Sequence, residues 1–143
     1  MKNQHFSTEI KAPKKKVWQT LWQDETHRDW GNIIDEGMYI VGEMKEGNEV
    51  QFLSGSGYGV TSKIEKLTPN EYALFRQLAD TMDSGKQERE KEWAGGTESY
   101  ELTENNGVTT LVVTIDVPPG QEETFQDRFP KALARVKFLA EKK

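Results

Sequence analysis

Residues 98–117 read ESYELTENNGVTTLVVTIDV, and the Asn106-Gly107 step near their middle decides how the chain is laid out. Asn-Gly is the strongest short hairpin signal, because both central residues of the favoured two-residue turn take positive φ. A loop at 106–107 sets Asn105 opposite Val108, Leu102 opposite Leu111, Tyr100 opposite Val113 and Glu98 opposite Ile115. Side chains alternate along each strand, so one face carries Tyr100, Leu102, Leu111, Val113, Ile115 and Val117. The other carries Ser99, Glu101, Thr103, Thr110, Thr114 and Asp116, with Val112 as its one apolar member. The first face is predicted to be buried and the second wet, as in an antiparallel sheet covered on one side. Glu98 is the polar exception on the buried face.

Upstream, residues 58–67 and 72–79 read as two strands around the turn Thr68-Pro69-Asn70-Glu71. A two-residue loop at Pro69-Asn70 pairs Ile64 with Phe75, Ser62 with Gln77 and Val60 with Ala79 on one face. It pairs Lys63 with Arg76 and Glu65 with Leu74 on the other. Two cations opposite each other belong on the wet side. Ile64, Phe75, Ser62, Gln77 and, by parity, Tyr58 therefore point inward. Residues 38–44 and 49–54 read as further strands joined at 45–48, and Phe6, Thr8 and Ile10 alternate in a first strand over 5–11. The polar stretch 80–92 is expected to be a long exposed connection. Gly55-Ser56-Gly57-Tyr58-Gly59 enters a strand instead of opening a helix, so it reads as a turn and not as a phosphate loop.

Three helices complete the pattern. Pro13 ends the first strand and suits a first helical turn. Val17, Trp18, Leu21 and Trp22 then form one apolar stripe. A second short helix is expected from Asp24, as N-cap, to Trp30, with Gly31 and Gly37 marking its exit. Beyond Pro118-Pro119-Gly120, Phe125, Phe129, Leu133, Val136 and Ala140 recur at spacings of three and four. Pro130 either kinks this last helix or its main part begins near Asp127. Only the last helix is long enough to cover the apolar sheet face. The expectation is one α+β domain over 1–143: a seven-stranded curved antiparallel sheet around a long C-terminal helix, with two short helices after the first strand.

Composition narrows the function. The chain has 143 residues, of which 34% are apolar and 30% charged, with a net charge of −5. That balance argues against a nucleic-acid partner and against an anionic membrane surface. Cysteine is absent, which excludes disulfides, thiolate metal sites and thiol nucleophiles. Residues 1–16 have no apolar h-region, and no run approaches membrane-spanning length, so a cytoplasmic location is expected. The two histidines, His5 and His27, lie in different elements without metal spacing. His5 has outward parity and His27 is expected to be exposed, so no zinc or nucleophile–histidine site is anticipated.

The inward polar residues are more telling. Gln77 and Glu98 fall on adjacent strands facing the last helix, with Tyr58 and Ser62 one strand further on. A few polar groups on an apolar concave wall are the composition of a small-molecule pocket. The expected ligand-binding set is Trp22, Trp30, Tyr58, Phe75, Gln77, Glu98, Tyr100 and Phe129. Glu98 also stands at a strand end beside Gly95-Gly96, where reaching water is the plainer reading.

Ile10-Lys11-Ala12-Pro13 with Val17-Trp18, Leu21 and Trp30 resembles the opening of the helix-grip (SRPBCC) superfamily, which includes START lipid-transfer domains, the birch-pollen allergen type and aromatase/cyclase domains. The segments 64–71 and 92–102, and Pro130-Lys131-Ala132-Leu133 with Lys137, are similar to the branch named after the activator of Hsp90 ATPase. The resemblance spans nearly the whole chain. It implies a cavity between sheet and C-terminal helix, no metal or redox cofactor, and no catalytic set to carry over. Three functions follow as expectations. The first is non-catalytic binding of a small hydrophobic or amphipathic molecule. The second is a chaperone-type protein partner, and the third a cyclase- or hydrolase-type enzyme using cavity groups such as Glu98 and Tyr58.

Overall fold

The computed structural model describes residues 2–55, 59–82, 85–86, 96–117 and 120–142. The elements are β1 (Lys2–Ile10), α1 (Lys14–Trp22), α2 (Asp24–Ile34), β2 (Tyr39–Val41), β3 (Glu49–Leu53), β4 (Gly59–Thr68), β5 (Tyr72–Met82), β6 (Gly85–Lys86), β7 (Thr97–Asn105), β8 (Val108–Val117) and α3 (Glu122–Glu141). Seven strands form one antiparallel sheet in the order β1-β8-β7-β5-β4-β3-β2, and the two-residue β6 pairs with β5. The helix α3 packs against β1 and against α1 and α2.

The hairpin at Asn106-Gly107 follows from backbone chemistry. Both residues take positive φ, 54° and 79°, as the primed turn requires. The resulting register pairs Asn105 with Val108, Leu102 with Leu111, Tyr100 with Val113 and Glu98 with Ile115. Tyr100, Leu102, Leu111, Val113, Ile115 and Val117 are all buried.

The β4–β5 hairpin keeps its expected centre and departs at both ends. Ile64 faces Phe75, Lys63 faces Arg76 and Ser62 faces Gln77. The loop holds three residues, 69–71, with Asn70 at φ 69° and the Glu71 N–H donating to the Thr68 carbonyl at 3.0 Å. Pro69 at the second position and Asn70 with positive φ at the third are what a type II turn takes. A bulge at Glu65 restores the register, so Leu74 pairs with Lys66 instead of Glu65. A second irregularity between Thr61 and Ser62 sets Val60 opposite Asp80 and Ala79 opposite Thr61. At Gly59 an added Cβ would sit 1.8 Å from the Phe52 carbonyl oxygen, so only glycine lets β3 and β4 approach there.

Four other expectations are corrected. The second helix does not stop at Trp30 but runs through Gly31 to Ile34, and its N-cap is Gln23, with Asp24 in the first turn. Gly31 is a close-packing position: a Cβ there would meet Met38 Sδ at 3.2 Å. The strand expected over 38–44 is reduced to Tyr39–Val41. In the stretch 80–92, β5 continues to Met82 and Gly85–Lys86 pairs with it, while 83–84 and 87–92 lie outside the described residues.

Helix α3 is continuous from Glu122 across Pro130 to Glu141. Pro130 and Gln126 both lie on the exposed side, so the Gln126 carbonyl that loses its helical donor is open to water. The buried stripe is Phe129, Ala132, Leu133, Val136 and Ala140. Phe129 stacks on Phe6 of β1 with ring centroids 5.0 Å apart. The lysine run that opens α1 is compensated from elsewhere. Glu104 accepts the Lys14 N–H at 2.8 Å, and Glu71 pairs with Lys14 Nζ at 3.1 Å.

Candidate functional site

A cavity of about 270 Å³ lies between the sheet and α3. Its floor is Phe75, Gln77, Glu98 and Tyr100 of β5 and β7, with Ser62 of β4 and Ile115 of β8 beside them. Phe125 and Phe129 of α3 close one side, and His27, Trp30 and Ile34 of α2 close another. Asp35, Gln121, Thr124 and Arg128 edge it where α2 ends and α3 begins. Apolar walls with a few fixed polar groups are the makeup of small-molecule sites, and the volume is near the lower end of their roughly 300–1,000 Å³ range.

The polar floor is built by register. Glu98 faces Phe75 across β5–β7, and the Gln77 N–H donates to the Gly96 carbonyl at 2.8 Å. Phe75, Gln77 and Glu98 thus share the inward face. The Tyr100 hydroxyl donates to Glu98 Oε2 at 2.6 Å. Burial raises the Glu98 carboxyl above its ordinary pKa, partly opposed by that hydrogen bond. Tyr100 is pushed well above the usual phenol value, by burial first and then by the neighbouring carboxylate.

Six of the eight expected residues border this cavity: Trp30, Phe75, Gln77, Glu98, Tyr100 and Phe129. Tyr58 lies outside the described residues. Trp22 stands behind the wall, its ring edge-on to Tyr100 at 4.8 Å and tilted against Phe75 at 5.4 Å. It lines a smaller hollow of about 110 Å³ with His27, Ile40 and Met44.

His27 corrects the sequence reading most. It is 1% exposed, not solvated. Positions 27, 30, 31 and 34 recur at i, i+3, i+4 and i+7, and all four are buried. That stripe was the available signal, hidden by ending the helix at Trp30. His27 lies edge-on to Trp30 at 5.1 Å, and its Nε2 is buried without a hydrogen-bond partner. Burial lowers its pKa to about 4, with Asp24 opposing and Arg28 assisting, so the ring is neutral near pH 7. The structure therefore sets a neutral histidine on the same cavity as Glu98, which spacing alone did not reveal. Arg128, Phe125 and Phe52 are further lining residues missed. Among the described residues no group of three or more His, Asp or Glu side chains is gathered to hold a metal, and no helix is long and apolar enough to cross a membrane.

Solved structures share this fold over nearly the full chain. The Aha1 dimer from Colwellia psychrerythraea superposes with a TM-score of 0.76 at 21% identity, covering 99% of this chain and 97% of that one. The chain has the helix-grip fold. Protein MLL2253 from Mesorhizobium loti matches with a TM-score of 0.74 at 14% identity over 96% of each chain. Protein CV1439 from Chromobacterium violaceum matches with 0.73 at 14% over 100% of each. No protein-family model and no curated protein matches. At these identities the helix-grip likeness concerns fold, and function has to be argued from the site.

Proposed function

We propose that the protein binds a small hydrophobic or amphipathic molecule, without transforming it, in the cavity between the sheet and α3. The observation that carries this reading is the polar cluster on an otherwise apolar floor. The Tyr100 hydroxyl occupies Glu98 Oε2, and the Glu98 carboxyl, which can accept further hydrogen bonds, borders the cavity. A half-buried carboxyl with unspent hydrogen-bonding capacity costs stability unless water or a ligand uses it. Trp30, Phe75, Gln77 and Phe129 would supply the surrounding contact surface, and Trp22 would support the wall from behind.

The test uses 2-naphthol, a compact two-ring molecule with one hydroxyl. Saturable one-to-one binding is expected by calorimetry, with NMR shifts centred on Trp30, Phe75, Tyr100 and Phe129. Val60 also lines the cavity, and Val60→Trp should fill it and abolish the binding. Shifts confined to the outer sheet face, or binding indifferent to Val60→Trp in a folded protein, would overturn the reading.

A further inference from the structure

The four arginines among the described residues are not equivalent. Arg28 pairs with Asp24 at 2.9 Å, Arg76 pairs with Glu65, and Arg135 grips Asp29 through two bonds of 2.6 and 3.0 Å. Among the described residues Arg128 has no carboxylate partner, in a chain with 24 acidic residues against 19 lysines and arginines. Its one hydrogen bond runs from Nη1 to the Ile34 carbonyl at 2.7 Å. That carbonyl is among the last of α2, where helical donors run out and a cation is favoured. The bond ties the guanidinium to the end of a packed helix and leaves its remaining donors unspent. Arg128 also lines the cavity on the same side as Phe125 and Phe129. Asp35, the carboxylate on that edge, forms no ion pair with it.

We infer that the cavity's ligand is an amphipathic anion, with a compact apolar body among Trp30, Phe75 and Phe129 and a carboxylate received by Arg128. The inference rests on the cavity being a binding site. A guanidinium presents a planar fork of donors that matches a carboxylate in two-point contact, and fixing it beforehand lowers the ordering cost of using it. As a helix cap alone, Arg128 would need no place on the cavity wall. The Glu98 end of the site suits this polarity. Its carboxyl on the sheet floor offers a hydrogen bond to a neutral polar group of the ligand, while Arg128 on α3 offers a positive charge.

Three probes with one ring system separate the possibilities: 2-naphthoate, 2-naphthalenemethanol and 2-naphthylmethylammonium, titrated at pH 7 and low salt. The naphthoate should bind about tenfold or more tighter than the alcohol, with the ammonium weakest. Arg128→Gln should bring the naphthoate down to the affinity of the alcohol while leaving the alcohol unchanged. Arg128→Lys should restore part of the preference, and Asp35→Asn should enlarge it. Arg28→Gln, which removes a cation already paired with Asp24, should leave the preference as it was. Equal binding of naphthoate and alcohol, or a preference that survives Arg128→Gln, overturns the anion assignment while the cavity reading stands. If none of the three binds, the cavity reading fails and the anion assignment falls with it.

Discussion

Tyr100 and Glu98 sit two residues apart on one strand face, and the phenol hydroxyl donates to the carboxylate at 2.6 Å. Side chains at i and i+2 of a strand point the same way, so β7 builds this pair from its own sequence. Both groups are shifted so that their neutral forms are favoured, with burial as the main cause in each. The hydrogen bond works against burial for Glu98, because it favours the ionised carboxylate that accepts it.

Removing that donor should therefore move Glu98 further from its ordinary value. In Tyr100→Phe the Glu98 pKa is expected to rise above that of the parent, followed by NMR titration of the carboxyl carbon. A fall would mean that the hydroxyl stabilises the protonated acid, or that the cavity floods with water once the hydroxyl is gone.

His27 predicts the sign of a pH effect on stability. Its folded pKa of about 4 lies below the unfolded value of 6.5. Above about pH 6.5 the ring is neutral in both states and contributes no pH dependence. As pH falls towards 4 the unfolded chain binds a proton that the folded chain resists, so stability is lost across that window, by about 3 kcal/mol in all. Glu98, with a raised folded pKa, acts in the opposite direction, since its contribution is full at low pH and is lost as pH rises through the folded value. Urea unfolding of Glu98→Gln should therefore show a steeper acid loss than the parent. His27→Leu should flatten it, and should change stability at pH 7 little, because it removes a buried Nε2 that has no partner. An unchanged acid limb in His27→Leu would show that the histidine is accessible to protons in the folded state.

The residues that were legible and those that were not differ in how local their determinants are. Asn106-Gly107 dictates its own φ values, so the β7–β8 register and the inward place of Glu98 could be read from twenty residues. Ile64 opposite Phe75 was also readable, although through compensation: a three-residue loop where two were assumed, and a bulge at Glu65 that restores the count. Gly31 misled, because a glycine beside a tryptophan reads as a helix stop, whereas its missing side chain makes room for Met38. That one reading hid the stripe from His27 to Ile34, and with it the buried histidine. Trp22 had the right periodicity for the core, but whether it meets the cavity or the ring behind it depends on tertiary packing. Arg128 was illegible for the same reason, since its position has meaning only once the end of α2 is known to lie beside it.

Leu133 tests how firmly α3 is held. It is 2% exposed and belongs to the main core. Leu133→Ala should cost about 2–5 kcal/mol in denaturant unfolding. Phe129→Ala, which also removes the stack on Phe6, should cost about 3–5 kcal/mol unless the cavity side absorbs part of the loss. A smaller effect for Phe129 than for Leu133 would mean that the cavity already leaves Phe129 short of neighbours on one side.

Pro130 divides α3 by role. Thr124, Phe125, Arg128 and Phe129 before it border the cavity, whereas Ala132, Leu133, Val136 and Ala140 after it pack in the core. A proline inside a helix removes one backbone donor and crowds the preceding turn, a cost of about 3 kcal/mol in a regular helix. It also restricts the unfolded chain, which recovers part of that. Pro130→Ala should restore an N–H to the Gln126 carbonyl and raise stability by about 1–3 kcal/mol. Amide exchange should slow first in residues 124–129, the stretch that borders the cavity. Loss of stability on the same substitution would show that the helix is shaped to its sheet by the proline, and that an uninterrupted turn would push Phe129 off Phe6.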